Sequence, residues 1–198
     1  MIAGIRDKST LRAEALARRD TLTTSERENG SRFIAARAIA IIARVRPAVI
    51  AAYMPIWSEV DPGPIVAWAH EQRIAVVLPA VIGAAEVAFR VHRPGDELEI
   101  GRFGTRAPAA NVPTADPDLV ISPMIAFDRT GTRLGHGLGY YDRAIAALVA
   151  RGRRPRLLGV AFSVQEVSAI PAEAHDARME WIVTERETIT PAAGQERT

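Results

Sequence analysis

The chain has 198 residues, 48% hydrophobic and 24% charged, with a formal net charge of +2. That apolar share is ordinary for a globular protein and excludes disorder as the main state, while the length favours one domain able to bury most of its unfolded surface. The absence of cysteine excludes a disulfide scaffold, a thiol nucleophile and cysteine-ligated zinc.

No apolar run reaches the roughly 18 residues of a membrane span, and the N-terminus lacks the apolar core of a signal peptide. A cytoplasmic single domain over residues 1–198 is expected, monomeric, with a polar tail after about residue 190. Of the 25 basic residues one is a lysine, Lys8, and 24 are arginines. With charge so nearly balanced, a pI of 9.5 is weak evidence for a nucleic-acid partner. A lone lysine is either chance or a compact point charge for phosphate that a planar guanidinium does not replace.

In chain order, Thr10 reads as the cap of a helix carrying Leu11, Ala15, Leu16 and Arg18. Thr23-Thr24-Ser25-Glu26 is a capping-box pattern opening a longer helix with Phe33, Ile34, Ile41, Ile42 and Val45. Ala48–Tyr53 has no polar face and predicts a buried strand. Asp61-Pro62 reads as a cap followed by proline, introducing a helix over Ile65–His70. Ile74–Leu78 predicts a buried strand closed by Pro79, and the alternation over Val87–His92 an edge or antiparallel strand before a Pro94-Gly95-Asp96 turn.

Residues 101–118 have little periodicity and read as a long irregular connection. Leu119–Ser122 and Met124–Phe127 form an apolar stretch broken by Pro123, followed by a turn at Asp128–Gly131. A glycine-rich loop from Arg133 to Gly139 feeds a helix ending near Val149, and Leu157–Phe162 and Trp181–Thr184 are two more strands. Strands alternating with helices predict an α/β domain with a largely parallel sheet.

The most informative segment is Arg133-Leu134-Gly135-His136-Gly137-Leu138-Gly139-Tyr140-Tyr141-Asp142. Glycine at every second position leaves main-chain N–H groups open to an anion, and the helix start adds partial positive charge. The pattern is neither the P-loop nor the Rossmann fingerprint. A tight strand-to-helix turn explains the glycines equally well, and Asp142 in a first helical turn complements the dipole. If phosphates sit in the loop, however, that carboxylate repels them unless a divalent cation bridges the two. Mg²⁺ prefers one or two carboxylates together with phosphate oxygens and water. The combination points to a magnesium nucleotide more than to free phosphate.

The run from Phe127 to Asp142 resembles the signature of 5-formyltetrahydrofolate cyclo-ligases, also called methenyltetrahydrofolate synthetases. Weaker elements of that family follow in its order: Lys8-x-x-x-Arg12, Ser58-Glu59-Val60-Asp61, Gly101-Arg102-Phe103-Gly104 before Pro108, and Pro171 through Asp176 ahead of Thr184-Glu185. The resemblance implies a three-layer α/β/α fold with a largely parallel or mixed sheet, and an ATP- and Mg²⁺-dependent ligase. It places Lys8 and Arg12 on the ATP phosphates, and Arg133, Leu134, Gly135, His136, Gly137, Leu138, Gly139, Tyr140 and Tyr141 in the nucleotide loop. Asp142 and Asp176 become metal ligands, and Met54 and Glu59 line the site of a reduced folate.

In the implied reaction ATP phosphorylates the formyl oxygen of 5-formyltetrahydrofolate, and the N10 amine closes the ring to give 5,10-methenyltetrahydrofolate, ADP and phosphate. Such chemistry asks for positioning and charge neutralisation, and no general base is named. Membrane and nucleic-acid partners are not expected. His92, Ala107, His136 and Leu138 depart from the family's commoner residues. Two rival readings are a relative acting on another N-formyl or amine compound, and a folate- or nucleotide-binding protein without turnover.

Overall fold

The computed structural model describes residues 7–83, 86–101, 104–173 and 176–192. Arg102 and Phe103, His175 and the tail from residue 193 lie outside the described residues.

Two helices open the chain. The first, α1, spans Lys8–Asp20 and is capped by Asp7, whose carboxylate accepts from the Ser9 and Thr10 amides. The expected cap, Thr10, instead sits in the first turn and donates its own hydroxyl to Asp7, because a carboxylate is the stronger acceptor for two open amides. The second helix, α2, spans Thr24–Val45 and begins with the expected Thr23/Glu26 capping box. Of its apolar residues Ile34, Ile41 and Ile42 are buried, whereas Phe33 is exposed.

Seven strands form the main sheet in the order β11-β10-β9-β6-β1-β2-β3. These are β1 (Val49–Ala51), β2 (Ala75–Ile82), β3 (Glu86–His92), β6 (Leu119–Pro123), β9 (Arg156–Val160), β10 (Trp181–Val183) and β11 (Thr188–Ile189). The five central strands run parallel, and β3 and β11 close the edges antiparallel. Strand β2 continues through Pro79 rather than ending there. Its partner β1 pairs only as far as Ala51 opposite Val77, so the missing proline N–H lies past the end of that ladder. Two short ladders complete the set: β4 (Glu99–Ile100) with β5 (Arg106–Ala107), and β7 (Ala126–Phe127) with β8 (Arg133–Leu134). The first gives order to part of the segment expected to be irregular. A bridge from Arg90 to Thr114 ties its far end to β3.

Alternate residues of the central strands face opposite ways, as the pleat requires. Ile50, Val76, Leu78, Leu119, Ile121 and Leu158 pack under α2 and under α3 (Gly63–Glu71). Ala51, Val77, Val120 and Leu157 pack under α4 (Tyr140–Ala150). Helices therefore cover both faces, giving the expected three-layer α/β/α architecture. Helix α3 begins one residue later than the Asp61 cap implies, and Asp61 instead accepts from the Gly63 amide at 2.8 Å.

The connection from β1 through α3 leads to β2 on one side, while that from β6 through α4 leads to β9 on the other. The chain thus switches direction between β1 and β6, and in such sheets a crevice opens at the carboxyl ends of the diverging strands. Helix α1 closes the near side of that end, its Leu11 and Ala15 packing on Ile125, Ala126, Leu134 and Ile170.

Candidate active site

A cavity of about 560 Å³ occupies this crevice. Tyr53 and Met54 after β1, Pro79 within β2 and Pro123 at the end of β6 line it, and Val81, Val87 and Phe89 of the β2–β3 hairpin give it an apolar side. All of Lys8, Arg12, Met54, Glu59, Asp176 and the run Arg133–Asp142 line it. Residues from widely separated stretches of chain thus converge on one volume.

The glycine loop runs directly from β8 into α4. Gly137 and Gly139 adopt φ of 87° and 63°, the left-handed region that glycine enters without strain. Gly139 is also the residue that caps α4, and no side chain supplies a capping hydrogen bond there. The amides at this helix start are therefore open to an anion. Arg12 braces the loop from α1, donating from Nε to the Gly135 carbonyl oxygen at 2.8 Å. Arg143 braces it from the helix side, donating to the Leu138 carbonyl oxygen at 2.7 Å.

Lys8 is held between two carboxylates, with Nζ 3.0 Å from both Glu173 and Asp176. Burial works against its charge, but Asp176 and Glu173 outweigh that and hold its pKa above the ordinary lysine value. Arg133 is only 5% exposed and donates to Asp142 at 2.7 Å and to the Ala177 carbonyl oxygen at 2.5 Å. The Ala177 amide reaches the same Asp142 oxygen at 3.3 Å. Asp142 and the residue following Asp176 are thereby tied together, which brings both acidic positions to one wall.

Also lining the cavity, the Glu59 side chain is 6% exposed. Its carboxylate accepts from the Ile56 amide at 3.1 Å and lies 3.3 Å from Nε2 of His136. Behind it Arg19, fully buried on α1, donates from Nε to the Ser58 hydroxyl at 2.9 Å, and Ser58 in turn bonds Asp20. Burial lowers the Arg19 pKa, and the negative charges of Glu59 and Asp20 resist that shift. The Tyr141 hydroxyl is buried and takes no hydrogen bond among the described residues. Burial first, and then the charge of Glu59, pushes its pKa far above the ordinary tyrosine value, so it is a neutral donor at neutral pH.

Sequence reasoning missed Glu173, Trp57, Arg106 and the hairpin residues of the apolar side. Glu173 stood inside the Pro171–Asp176 element without being singled out, and Trp57 lies two residues before Glu59. His92 and Ala107 are not among the cavity residues. His92 packs instead against His70, ring centroids 5.8 Å apart.

The model of the 5-formyltetrahydrofolate cyclo-ligase family matches residues 5–185. The 5-formyltetrahydrofolate cyclo-ligase of Escherichia coli K12 is 27% identical over 173 residues, covering 84% of this chain and 94% of that protein. The enzyme of the same name from Mycolicibacterium smegmatis is 28% identical over 193 residues, covering 93% and 96%. Among solved structures, the 5,10-methenyltetrahydrofolate synthetase of Aquifex aeolicus superposes with a TM-score of 0.78 at 29% identity, covering 96% of each chain. That of Mycoplasma pneumoniae gives 0.74 at 25% identity, covering 91% of this chain and 99% of the other. Among the described residues no helix is long and apolar enough to cross a membrane.

Proposed function

The chain belongs to the 5-formyltetrahydrofolate cyclo-ligase family of folate-metabolising ligases, and from that premise we propose that it converts 5-formyltetrahydrofolate to 5,10-methenyltetrahydrofolate with conversion of ATP to ADP and phosphate. The observation that carries this reading is the convergence of Lys8, Arg12, the glycine loop, Asp142 and Asp176 on the same cavity as Met54 and Glu59. Family membership implies the use of ATP.

In this reading the triphosphate lies along the open amides of Gly135–Gly139, with Lys8 and Arg12 supplying positive charge from α1. The two cations are four residues apart and share one helix face. Lys8 exchanges its carboxylate partners for phosphate oxygens as the nucleotide arrives. The apolar hairpin and Met54 receive the flat folate, and the buried Glu59 carboxylate accepts hydrogen bonds from its ring nitrogens.

A formamide is a poor electrophile, because nitrogen donates into the carbonyl and oxide cannot leave. Transfer of the γ-phosphoryl group to the formyl oxygen releases ADP and turns that oxygen into part of a phosphate leaving group. The N10 amine then attacks the formyl carbon, the C–O bond breaks, phosphate departs and N10 loses its proton. Because the amine is tethered to the electrophile, proximity replaces a protein nucleophile. The protein's share is to align the γ-phosphorus with the formyl oxygen and to neutralise charge.

The donors present fit Mg²⁺. Both hydrogen bonds to Asp142 go to one oxygen, and its other oxygen takes none among the described residues. Asp176 lies on the same wall. No cluster of three or more acidic or imidazole ligands occurs among the described residues, as suits an ion that takes one or two carboxylates and completes its shell with phosphate and water. Asp142 and Asp176 would hold the ion, which would supply neutralisation of phosphate charge. The rival reading, a different N-formyl or amine substrate, rests on His92 and Ala107, which are not among the residues that line the cavity.

The direct test mixes the protein with 5-formyltetrahydrofolate, ATP and Mg²⁺. Appearance of the 5,10-methenyl chromophore with an equal amount of ADP supports the reading. Tight binding of both ligands without the chromophore favours the non-catalytic alternative, and ADP release only with other formyl or amine compounds favours the different-substrate one.

A further inference from the structure

Trp57 is the largest exposed apolar side chain on the cavity, 72% accessible, and stands on the loop between β1 and α3. Its backbone φ is +52°. The Glu59 amide bonds back to the Ile56 carbonyl oxygen at 3.2 Å, so Trp57 is the second residue of a four-residue turn. A positive φ at that position ordinarily falls to glycine. A bulky aromatic ring is thus held out at the rim in a conformation disfavoured by its own backbone, and with no burial to offset it. Such outliers concentrate at ligand contacts.

The ring is nevertheless positioned. The His136 imidazole, from the glycine loop across the mouth, meets it edge to face with centroids 5.3 Å apart. The same imidazole lies 3.3 Å from the buried Glu59 carboxylate. Trp57, His136 and Glu59 form one connected set reaching from the rim inward, with Glu59 deep and Trp57 outermost.

We propose that Trp57 is a substrate-positioning residue whose indole stacks on the aminobenzoyl ring of the folate. This rests on the reading that the cavity binds 5-formyltetrahydrofolate. The hydrogen-bonding ring system of that molecule is satisfied by a buried carboxylate, and so sits deep, beside Glu59. The aminobenzoyl ring follows one short bridge further out, where the accessible aromatic surface is Trp57. The nitrogen that closes on the formyl carbon, N10, is attached to that ring, so a platform under the ring also limits rotation of the attacking amine. His136 holds the platform through its edge-to-face contact.

The test compares the full-length wild type with Trp57→Phe and Trp57→Ala. Aromatic stacking of this kind corresponds to a roughly 2- to 12-fold change in affinity. Trp57→Ala is therefore expected to raise KM for 5-formyltetrahydrofolate by several-fold and leave KM for ATP unchanged, with Trp57→Phe close to wild type. As a binding control, a 5-formyltetrahydropterin lacking the aminobenzoyl group should compete equally well with wild type and Trp57→Ala. An unchanged folate KM in Trp57→Ala, a shift confined to ATP, or an equal loss of the truncated pterin overturns the assignment while leaving the cyclo-ligase reading intact. A wild-type protein that does not turn over 5-formyltetrahydrofolate overturns both.

Discussion

Lys8 and Asp176, 168 positions apart in the chain, meet at 3.0 Å on the wall of the cavity. One is the sole lysine of the sequence; the other is one of the two carboxylates proposed to hold magnesium. Their contact fixes the open end of α1 to the C-terminal segment, and it holds a phosphate-seeking cation beside a metal-seeking anion. Lys8→Arg preserves charge but places a planar fork where it grips both Glu173 and Asp176. ATP KM is expected to rise roughly tenfold with the fold intact, read by initial rates and by thermal melting. An unchanged KM returns the lone lysine to chance.

Asp142→Asn keeps an acceptor for Arg133 and for the Ala177 amide, so the protein should fold. Removal of the negative charge is expected to lower turnover roughly 100-fold or more, since a catalytic cation contributes several kcal/mol. A magnesium titration reads this as a saturation curve displaced to higher concentration. Full activity at ordinary magnesium removes Asp142 from the metal site.

Gly137→Ala tests the glycine loop. The new methyl group meets Arg12 at 3.5 Å, an ordinary contact, but φ of +87° remains. Left-handed backbone costs about 1–2 kcal/mol for a residue with a Cβ. The loop is expected to relax away from its open-amide shape, weakening an ATP analogue roughly tenfold by calorimetry. Folate-side binding should be unaffected.

His70 and His92 give a pH dependence unrelated to catalysis. Burial, and for His70 the neighbouring His92, lowers both pKa values below the ordinary 6.5, while Asp96 opposes the shift. Below that value the unfolded chain binds protons that the folded pair resists, so stability is full above it and is lost as pH falls. Melting temperature should therefore drop between about pH 7.5 and about pH 5.5. His92→Phe, which removes one titrating ring, should narrow that drop, and an unchanged drop contradicts the assignment.

Trp57→Gly separates strain from binding. Glycine accepts φ of +52° freely, so the melting temperature should hold or rise although a contact with His136 is lost. Folate KM should worsen as in Trp57→Ala. A clear fall in melting temperature contradicts the picture of a strained rim residue.

Much of this was legible in the sequence because its signals are local. The capping box at Thr23 needs four residues, the buried strands show as short apolar runs, and the glycine loop with Asp142 is contiguous, so its chemistry could be argued from spacing. What stayed hidden depends on meetings between distant segments. Glu173 becomes informative only beside Lys8, and Arg19 reads as one more helix arginine until Ser58 and Glu59 arrive. Pro79 suggests a strand end, and only the short reach of β1 explains why β2 runs through it. His92 stands out in the sequence as a departure from the family's commoner residue, but the sheet register sets it opposite Val76 and it is not among the cavity residues.

The proposed chemistry turns on phosphoryl transfer to the formyl oxygen within this cavity. Single-turnover reaction with 5-formyltetrahydrofolate carrying ¹⁸O in its formyl group measures that step directly. The label is expected in the inorganic phosphate, one atom per molecule released. Unlabelled phosphate, with the heavy oxygen recovered in water or formate, contradicts it.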